Sequence, residues 1–255
     1  MAPLPPTGQL RVVDDVAAAF TAVVVAEFST TAANDELRSS AAIDAGPAGD
    51  DATAEAVDGT FRMALSGGDT ARACYEALAR STAIDWTNVE CFLGDERCVP
   101  PEDPAANQRL VREALLDRVG GLPRFHPIEW QHPESYAAVL TSRPALNLIH
   151  LGFGPDGHTA SLFAGSPALE APAGALVVQN EDPSGRNPYP RVTLTLEAIA
   201  RARLVVFTVA GASKHDALSR LLAGEDLPAA RVRAPRILWL CDREALGGDP
   251  EALGS

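Results

Sequence analysis

Short apolar runs rich in β-branched residues alternate along the chain with longer stretches in which apolar residues recur at helical spacing. The short runs predict strands and the longer stretches predict helices. The predicted strands are Leu10–Val13, Phe61–Leu65, Val89–Leu93, Leu146–Leu151, Ala175–Val178, Arg191–Leu194, Leu204–Val209 and Ile237–Cys241. The predicted helices are Asp15–Leu37, Thr70–Arg80, Ala105–Val119, Pro133–Thr141 and Lys214–Leu222.

This alternation predicts an α/β fold with a mostly parallel sheet, because parallel strands need crossover connections that are usually helical. Several strands are apolar throughout, which is typical of a sheet covered by helices on both faces, a three-layer sandwich. We predict one domain over residues 1–255. Residues 39–59 are small and acidic with Pro and Gly, which favours an exposed loop in that domain. Prolines and a glycine predict a second loop at residues 181–190.

Composition and charge narrow the function classes. Of the 255 residues, 46% are apolar and 22% are charged, as in soluble globular proteins. The 34 acidic residues exceed the 21 basic ones and give a formal net charge of −13. Such a charge repels a phosphate backbone and argues against nucleic-acid binding. A small anionic ligand would need basic side chains gathered locally.

Features of the chain ends and of the cysteines predict its compartment. The amino end lacks the basic start and apolar core of a signal peptide, and the apolar stretch Val16–Ala26 is too short to span a bilayer. Cys74, Cys91, Cys98 and Cys241 lie among apolar residues without zinc-ligand spacing, which favours reduced packing thiols. We therefore expect a soluble cytoplasmic protein with no membrane partner and no metal site.

Ligands of open parallel sheets bind beyond the carboxyl ends of the strands, and the turn Ser66–Thr70 follows the second predicted strand. Its sequence SGGDT combines two glycines, hydroxyl groups and the amino end of a predicted helix. This pattern favours a cradle for an anion, provided that the Asp69 carboxylate points away. A tight strand-to-helix turn with Thr70 as its N-cap is the alternative.

Three charged residues, Asp95, Glu96 and Arg97, follow the third predicted strand. Charges directly after a buried strand are costly unless they act in the site or reach solvent. Arg97 is a candidate for neutralising an anion formed in a reaction, held in place by its acidic neighbours. A solvated turn is the alternative.

The turn after the fourth predicted strand contains His158, two residues after Asp156. Its glycines match G-x-G-x-x-G formally, but that fingerprint belongs in the first βα turn of its unit, and Asp156 would face the pyrophosphate. His158 lies at a predicted helix start, where the helix amino end favours the neutral imidazole that a general base needs. A histidine satisfied by the turn backbone is the alternative.

Two further cations follow later segments of the chain. Lys214 lies at a predicted helix start, where a positive charge is unfavourable unless an anion lies alongside, and Arg191 opens a strand after the second loop. Solvated charges are the alternative for both. The chain has no G-x-S-x-G elbow and no cysteine in an electropositive turn, so nucleophilic catalysis is poorly supported.

Seven sequence blocks occur in order between Phe61 and Asp242. They are ALSGGDT, FLGDERCVP followed by Asn107, LGFGPDGHTASLF, RVTLTLEAI, VAGASKHDAL, LPAARV and ILWLCD. Together they resemble the 6-phosphogluconolactonase family. The resemblance implies a Rossmann-like α/β sandwich and hydrolysis of 6-phospho-D-glucono-1,5-lactone to 6-phospho-D-gluconate in the oxidative branch of the pentose phosphate pathway. It implies no metal and no organic cofactor, and we expect a monomer or weak homodimer.

The resemblance also implies roles for matching residues. His158 becomes the general base that takes a proton from the attacking water, with Asp156 beside it, and Arg97 stabilises negative charge on the reacting lactone. The residues implied to hold the 6-phosphate are Ser66, Gly67, Gly68, Thr70, Arg191 and Lys214. The residues expected to support the site are Asp95, Glu96, Gly154 and Gly157.

Two other functions remain open at this point. Glucosamine-6-phosphate deaminases and isomerases share the scaffold, but their motif reads Gly-His-Ile-Ala-Phe-Asn-Glu-Pro, with a glutamate working beside the histidine. The chain has no such glutamate between Gly157 and Ala164. A non-catalytic sugar-phosphate-binding module would keep the turn Ser66–Thr70 without needing His158.

Overall fold

A parallel β-sheet forms the centre of the structure, a computed structural model that describes residues 7–45 and 58–248. The strands in this part of the chain are β1 (Gln9–Val12), β2 (Phe61–Leu65), β3 (Val89–Leu93), β4 (Asp95–Arg97), β5 (Arg124–Phe125), β6 (Leu148–Gly152), β7 (Val177–Asn180), β8 (Arg191–Leu194), β9 (Leu204–Val209) and β10 (Ile237–Cys241). The α-helices are α1 (Val16–Ala45), α2 (Asp69–Leu78), α3 (Asn107–Val111), α4 (Pro133–Thr141), α5 (Leu196–Ala200) and α6 (His215–Leu222).

Seven of these strands pair in the order β1-β10-β9-β6-β2-β3-β5, and every pairing is parallel. All residues of β2, β3, β9 and β10 are buried, so helices and loops cover both faces of the sheet. The predicted α/β class and mostly parallel sheet are confirmed. The chain leaves β2 toward β3 and β5 but leaves β6 toward β9 and β10, so the direction of winding reverses between β2 and β6.

A second, antiparallel sheet joins β4, β8 and β7 in that order. In its register Arg97 lies opposite Arg191, and Asp95 lies opposite Thr193. The sequence pattern predicts β8 but not β4, because a three-residue strand of charged residues carries no strand signal. The small sheet brings two distant arginines together beside the main sheet.

The helices pack through apolar faces that the sequence spacing dictates. In α2 the buried residues are Ala71, Cys74, Tyr75 and Leu78, which recur at the spacing of one helical face. The predicted helix over residues 105–119 is shorter: α3 is followed by a π-helical segment, Arg112–Leu116. Helix α5 and strand β5 are not predicted, since each is too short to show a period.

Helix α1 is longer than predicted and extends to Ala45, so the first seven residues of the expected loop at 39–59 are helical. Residues 46–57 of that loop lie outside the described residues. By length and composition alone, Val16–Asp35 would suffice to cross a membrane, with a mean hydropathy of 1.6. Phe20 and Val24 are fully buried, and the helix packs on α2, β9 and β10. A core helix satisfies the same criterion.

The four cysteines are free thiols. Burial raises the pKa of Cys74, Cys91 and Cys241 to about 12, and Cys98 is partly exposed. A thiol with so high a pKa is scarcely ionised near neutrality and is a poor nucleophile. This agrees with the expectation of packing thiols.

Candidate active site

A cavity of about 250 Å³ lies at the carboxyl ends of β2 and β6, where the winding of the sheet reverses. Open α/β sheets bind ligands at such a switch point. The predicted site residues that line the cavity are Ser66, Gly67, Gly68, Thr70, Asp95, Arg97, Gly154, His158, Arg191 and Lys214. The other three predicted residues, Glu96, Asp156 and Gly157, lie behind this lining and contact residues in it.

The turn between β2 and α2 presents backbone amides to the cavity. Gly68 is the N-cap of α2 with φ of 95°, in the left-handed region that glycine adopts without strain. The first intrahelical bond runs from the Arg72 N–H to the Gly68 carbonyl, 2.9 Å. The N–H groups of Asp69, Thr70 and Ala71 therefore have no intrahelical acceptor. The alternative in which Thr70 is the N-cap is wrong.

Asn107 lies against this turn and fixes its shape. A Cβ atom on Gly67 would lie 1.9 Å from Asn107 Oδ1, so only glycine fits there. The Asn107 amide donates to the carbonyl oxygen of Asp95 at 2.8 Å and to its Oδ1 at 3.0 Å. Asn107 also lines the cavity. Sequence reasoning noted it only as part of a motif, because a lone asparagine has no pattern that marks it as a site residue.

His158 is held by Asp156 rather than by a helix. Nδ1 of His158 lies 2.5 Å from Oδ1 of Asp156, and its backbone N–H donates to the same oxygen at 3.2 Å. Burial alone would raise the pKa of Asp156, but its hydrogen bonds and charge interaction with His158 outweigh burial and lower the pKa to about 2. The ring also packs against Phe163, 5.0 Å between centroids.

The predicted helix start at His158 is wrong. The segment forms a turn followed by an isolated bridge between Thr159 and Leu162. A helix dipole therefore has no part in the state of this imidazole. The alternative, a histidine satisfied by the turn backbone, is wrong too, because the ring nitrogen contacts a carboxylate.

Gly154 makes the close approach of His158 and Asp156 possible. A Cβ atom at position 154 would lie 2.2 Å from His158 Nδ1 and 2.7 Å from Asp156 Oδ1. Gly157 has φ of 85°, and a Cβ there would lie 2.7 Å from Leu227 Cδ1. Neither position could therefore accept a Cβ atom without movement of its neighbours.

Asp95 and Glu96 of β4 are buried in a hydrogen-bonded network and Arg97 is half-buried, so the alternative of a solvated turn is wrong. Glu96 is fully buried and accepts from the N–H groups of Arg97, Asn107 and Gln108 at 2.7, 2.7 and 2.8 Å. Burial raises its pKa to about 7 although these bonds favour the carboxylate. Asp95 accepts from Ser161 Oγ at 2.5 Å. Arg97 donates to the Ala105 carbonyl.

Two cations line the cavity, the buried Arg191 and the half-buried Lys214. Arg191 is 6% exposed and donates to the Tyr189 and Pro188 carbonyls at 3.2 and 2.9 Å. Lys214 ends the 3₁₀ turn before α6. Burial lowers the pKa of Lys214, and the nearby carboxylates of Asp156 and Asp69 oppose that effect. A bound anion would compensate both cations for their lost solvation.

Asn187 is a cavity residue that sequence reasoning missed, because it lies in the loop predicted at residues 181–190. Its Nδ2 donates to Asp182 Oδ2 at 2.8 Å and to Asp156 Oδ2 at 3.4 Å. Asp182 also accepts from the N–H groups of Ser184 and Asn187. The sequence signal that could have pointed to an ordered loop is the presence of Asp182 and Asn187, because Asp and Asn side chains stabilise turns.

Potential metal ligands do not converge in the described ranges 7–45 and 58–248, where no three His, Cys, Asp or Glu side chains could hold an ion. The absence of a cofactor remains an expectation.

Comparison with known proteins places the chain in a family. The family model for glucosamine-6-phosphate isomerases/6-phosphogluconolactonase matches residues 34–239. The chain belongs to this glucosamine-6-phosphate isomerase/6-phosphogluconolactonase family. A 6-phosphogluconolactonase of Synechocystis is 42% identical over 215 residues, covering 76% of this chain and 86% of the relative. The region matched by the family model contains every predicted site residue.

Solved structures of the family share the fold. The crystal structure of a 6-phosphogluconolactonase from Thermotoga maritima aligns with a TM-score of 0.69 at 28% identity, over 91% of this chain and 98% of that one. A monomeric glucosamine-6-phosphate deaminase aligns with a TM-score of 0.66 at 15% identity, over 94% and 99%. The fold therefore does not separate lactonase from deaminase within the family, and the site must do so.

Proposed function

We propose that the chain is a 6-phosphogluconolactonase, a hydrolase that converts 6-phospho-D-glucono-1,5-lactone to 6-phospho-D-gluconate in the oxidative pentose phosphate pathway. The names of its curated relatives support this assignment. The observation that carries it is the position of His158, which shares one cavity with the turn Ser66–Thr70 and has Asp156 bound to Nδ1.

His158 acts as the general base through Nε2. Because the pKa of Asp156 is about 2, its carboxylate is ionised and can only accept, so Nδ1 carries the ring proton of the neutral imidazole. Nε2 has no hydrogen-bond partner among the described residues and keeps its lone pair. A water at Nε2 gives up a proton as its oxygen attacks the lactone carbonyl, a step that such a base accelerates by about 10²–10⁴-fold.

Arg97 stabilises the negative charge that develops on the carbonyl oxygen. Arg97 is part of the cavity lining, and its Nε is buried without a hydrogen-bond partner in the described part of the chain. A cation fixed in place before the reaction stabilises developing charge without reorganising. Glu96 and the Ala105 carbonyl hold the backbone and the guanidinium of Arg97 respectively.

The 6-phosphate binds at the amino end of α2. The unpaired amides of Asp69, Thr70 and Ala71, the helix dipole and the Lys214 ammonium supply donors and positive charge. Arg191 adds a second cation. The phosphate does not react, and its binding orients the lactone carbonyl near His158.

The deaminase alternative lacks its acid–base partner at the site. In the motif, Phe163 stands where deaminases have their glutamate, and its ring packs on His158 at 5.0 Å. The carboxylate that does contact His158 is Asp156, on the Nδ1 side. This arrangement suits removal of one proton from water, not the ring-opening chemistry of an amino sugar phosphate.

A coupled assay tests the proposal, with glucose-6-phosphate dehydrogenase generating the lactone in situ and the rate corrected for spontaneous hydrolysis. We expect acceleration of lactone loss and no ammonia release from glucosamine 6-phosphate. Ammonia release without lactonase activity would establish the deaminase instead. Thermal stabilisation by 6-phosphogluconate with no acceleration would establish a binding module.

Localisation and assembly complete the proposal. We expect the reaction in the cytoplasm, where the pentose phosphate pathway operates, by a monomer or weak homodimer acting on a free sugar-phosphate lactone. Fractionation and light scattering check the two expectations.

A further inference from the structure

A buried hydrogen-bonded network lies beneath the cavity and has no part in the reaction steps proposed above. The Ser66 N–H donates to Tyr75 Oη at 2.6 Å, and Tyr75 Oη lies 2.8 Å from His150 Nδ1. His150 Nε2 lies 2.8 Å from Thr208 Oγ1. Tyr75 and His150 are fully buried and Thr208 is 2% exposed, while Ser66 and Thr208 both line the cavity. This buried network therefore connects Ser66 to Thr208, two points of the cavity wall, through the interior of the protein.

The His150 imidazole is neutral within this buried network. Its ring packs between Phe20 and Tyr75, with centroid distances of 4.2 and 5.4 Å, and burial lowers its pKa to about 3. A neutral imidazole has one N–H donor and one acceptor nitrogen. Which nitrogen carries the proton is fixed by its two partners.

The hydrogen bonds define one arrangement of protons. Tyr75 Oη accepts from the Ser66 N–H, so its own hydroxyl proton is free to be donated to His150 Nδ1. Nε2 then carries the ring proton and donates it to Thr208 Oγ1. In the opposite tautomer Tyr75 Oη would accept twice, and its proton would lack a partner in a fully buried position, which is costly. The Thr208 hydroxyl, as an acceptor of His150, keeps its own proton to donate elsewhere.

Thr208 lies at the phosphate end of the cavity. In the register of β6 and β9 it pairs with Gly152, and a Cβ on Gly152 would lie 3.8 Å from Ser66 Oγ. The Ser66 N–H already donates to Tyr75 Oη. The turn Ser66–Thr70 therefore has one backbone N–H fewer to donate to an anion than its sequence suggests. A hydroxyl donor beside it would replace that amide.

We propose that Thr208 is a further donor to the substrate phosphate, and that Tyr75 and His150 are positioning residues that direct its hydroxyl proton into the cavity. The identity of the anion rests on the proposed function. The competing acceptor is the Cys74 thiol, which Thr208 also reaches. Sulfur is a weak hydrogen-bond acceptor, whereas a phosphate oxygen accepts a short, charge-assisted hydrogen bond. The Thr208 hydroxyl therefore donates to the phosphate, and not to Cys74, when the anion binds.

Substitution of Thr208 tests the donor. Thr208→Val keeps the shape and removes the hydroxyl, whereas Thr208→Ser keeps the hydroxyl. We expect Thr208→Val to raise KM for the phosphorylated lactone about tenfold and to leave kcat within about twofold, with Thr208→Ser restoring KM. The preference for the phosphorylated over the unphosphorylated lactone falls by the same factor. Thermal unfolding confirms that both variants fold.

The arrangement of protons is tested without any substrate. In histidine labelled with ¹⁵N, the His150 ring is assigned by its absence from His150→Gln, and we expect a protonated Nε2 and an unprotonated Nδ1 down to about pH 5. Tyr75→Phe removes the donor to Nδ1 and should shift the tautomer populations. A protonated Nδ1 in the wild type would overturn the proposal.

Binding of inorganic phosphate to the wild type and to the two Thr208 variants, measured by calorimetry, separates this inference from the proposed function. Tighter binding to Thr208→Ser than to Thr208→Val supports the donor even if lactone hydrolysis is not found. Equal binding to both variants overturns it even if the wild type is an active lactonase.

Discussion

His158 and Asp156 determine the rate of the proposed reaction, since Nε2 can act as a base only while Asp156 holds the ring by Nδ1. The substitution His158→Gln removes the base and keeps a polar side chain of similar length. We expect kcat to fall by at least about 10²-fold, with the free energy of unfolding little changed. The coupled lactone assay and urea unfolding measure the two quantities. Turnover at the wild-type rate would disprove the role of His158.

Gly154 provides a test in which the catalytic side chains stay intact. In Gly154→Ala the new methyl group would meet Nδ1 of His158 at 2.2 Å, so the ring must move. Displacement of a reacting group by about 1 Å costs about 10²-fold in rate, and we expect a loss of that size in kcat. Gly120→Ala is the matched control, because no atom lies within 4 Å of the added carbon. Equal activity of the two variants would contradict this account of the turn.

At the scale of elements, the sequence predicts the long strands as short apolar runs and the long helices from apolar residues at helical spacing. Helix α4 and strands β2, β3, β9 and β10 have the predicted bounds. The failures share a physical cause: β4 forms by pairing with β8, and the turn at His158 forms through Asp156 and Gly154. Partners distant in sequence, or a single side-chain contact, leave no periodic trace.

In the candidate site, too, some residues are predictable from the sequence and others are not. Its motif residues converge on one cavity, since the carboxyl ends of neighbouring parallel strands meet at one edge of the sheet. Asn187 and Thr208 escape prediction, because one lies in an irregular loop and the other in an apolar strand. Only the folded structure shows that both reach the cavity.

The loop at residues 181–190 depends on Asp182, whose carboxylate accepts from Ser184 and from both the backbone and the side chain of Asn187. Asp182→Ala removes these bonds. We expect amide hydrogen exchange at residues 184–187 to increase at least about tenfold, since bonds to a charged acceptor each contribute more than about 1 kcal/mol. The matched control is Glu181→Ala, and mass spectrometry measures the exchange. Unchanged protection in Asp182→Ala would show that other contacts order the loop.

At the scale of the whole molecule, the formal charge of −13 is opposed locally by cations around the cavity. The cations Arg97, Arg191 and Lys214 line it, together with the carboxylates of Asp69 and Asp95. A dianionic substrate is therefore attracted by the cavity while the rest of the surface repels polyanions. Ionisation of the carboxylates at the site also makes the free energy of unfolding depend on pH.

Asp156 contributes to stability with a definite sign. Its pKa is lowered from 3.8 to about 2 in the folded chain, so its contribution is present above about pH 4 and is lost as the pH falls through 2. We expect Asp156→Asn to lower the free energy of unfolding by up to about 2 kcal/mol near neutral pH. The difference from the wild type should shrink toward zero near about pH 2. Urea unfolding at several pH values measures it, and a difference that does not vary with pH would refute the assignment.

The edge strand β1 pairs with β10 alone, from Gln9↔Leu238 to Val12↔Cys241. During synthesis on the ribosome, β1 is translated before every other described strand, and its partner β10 is translated after all of them. Strand β1 therefore has no partner in the sheet until β10 has been made. Closing a contact over so long a separation is slow, so we expect β1 to join the sheet after the central strands have associated.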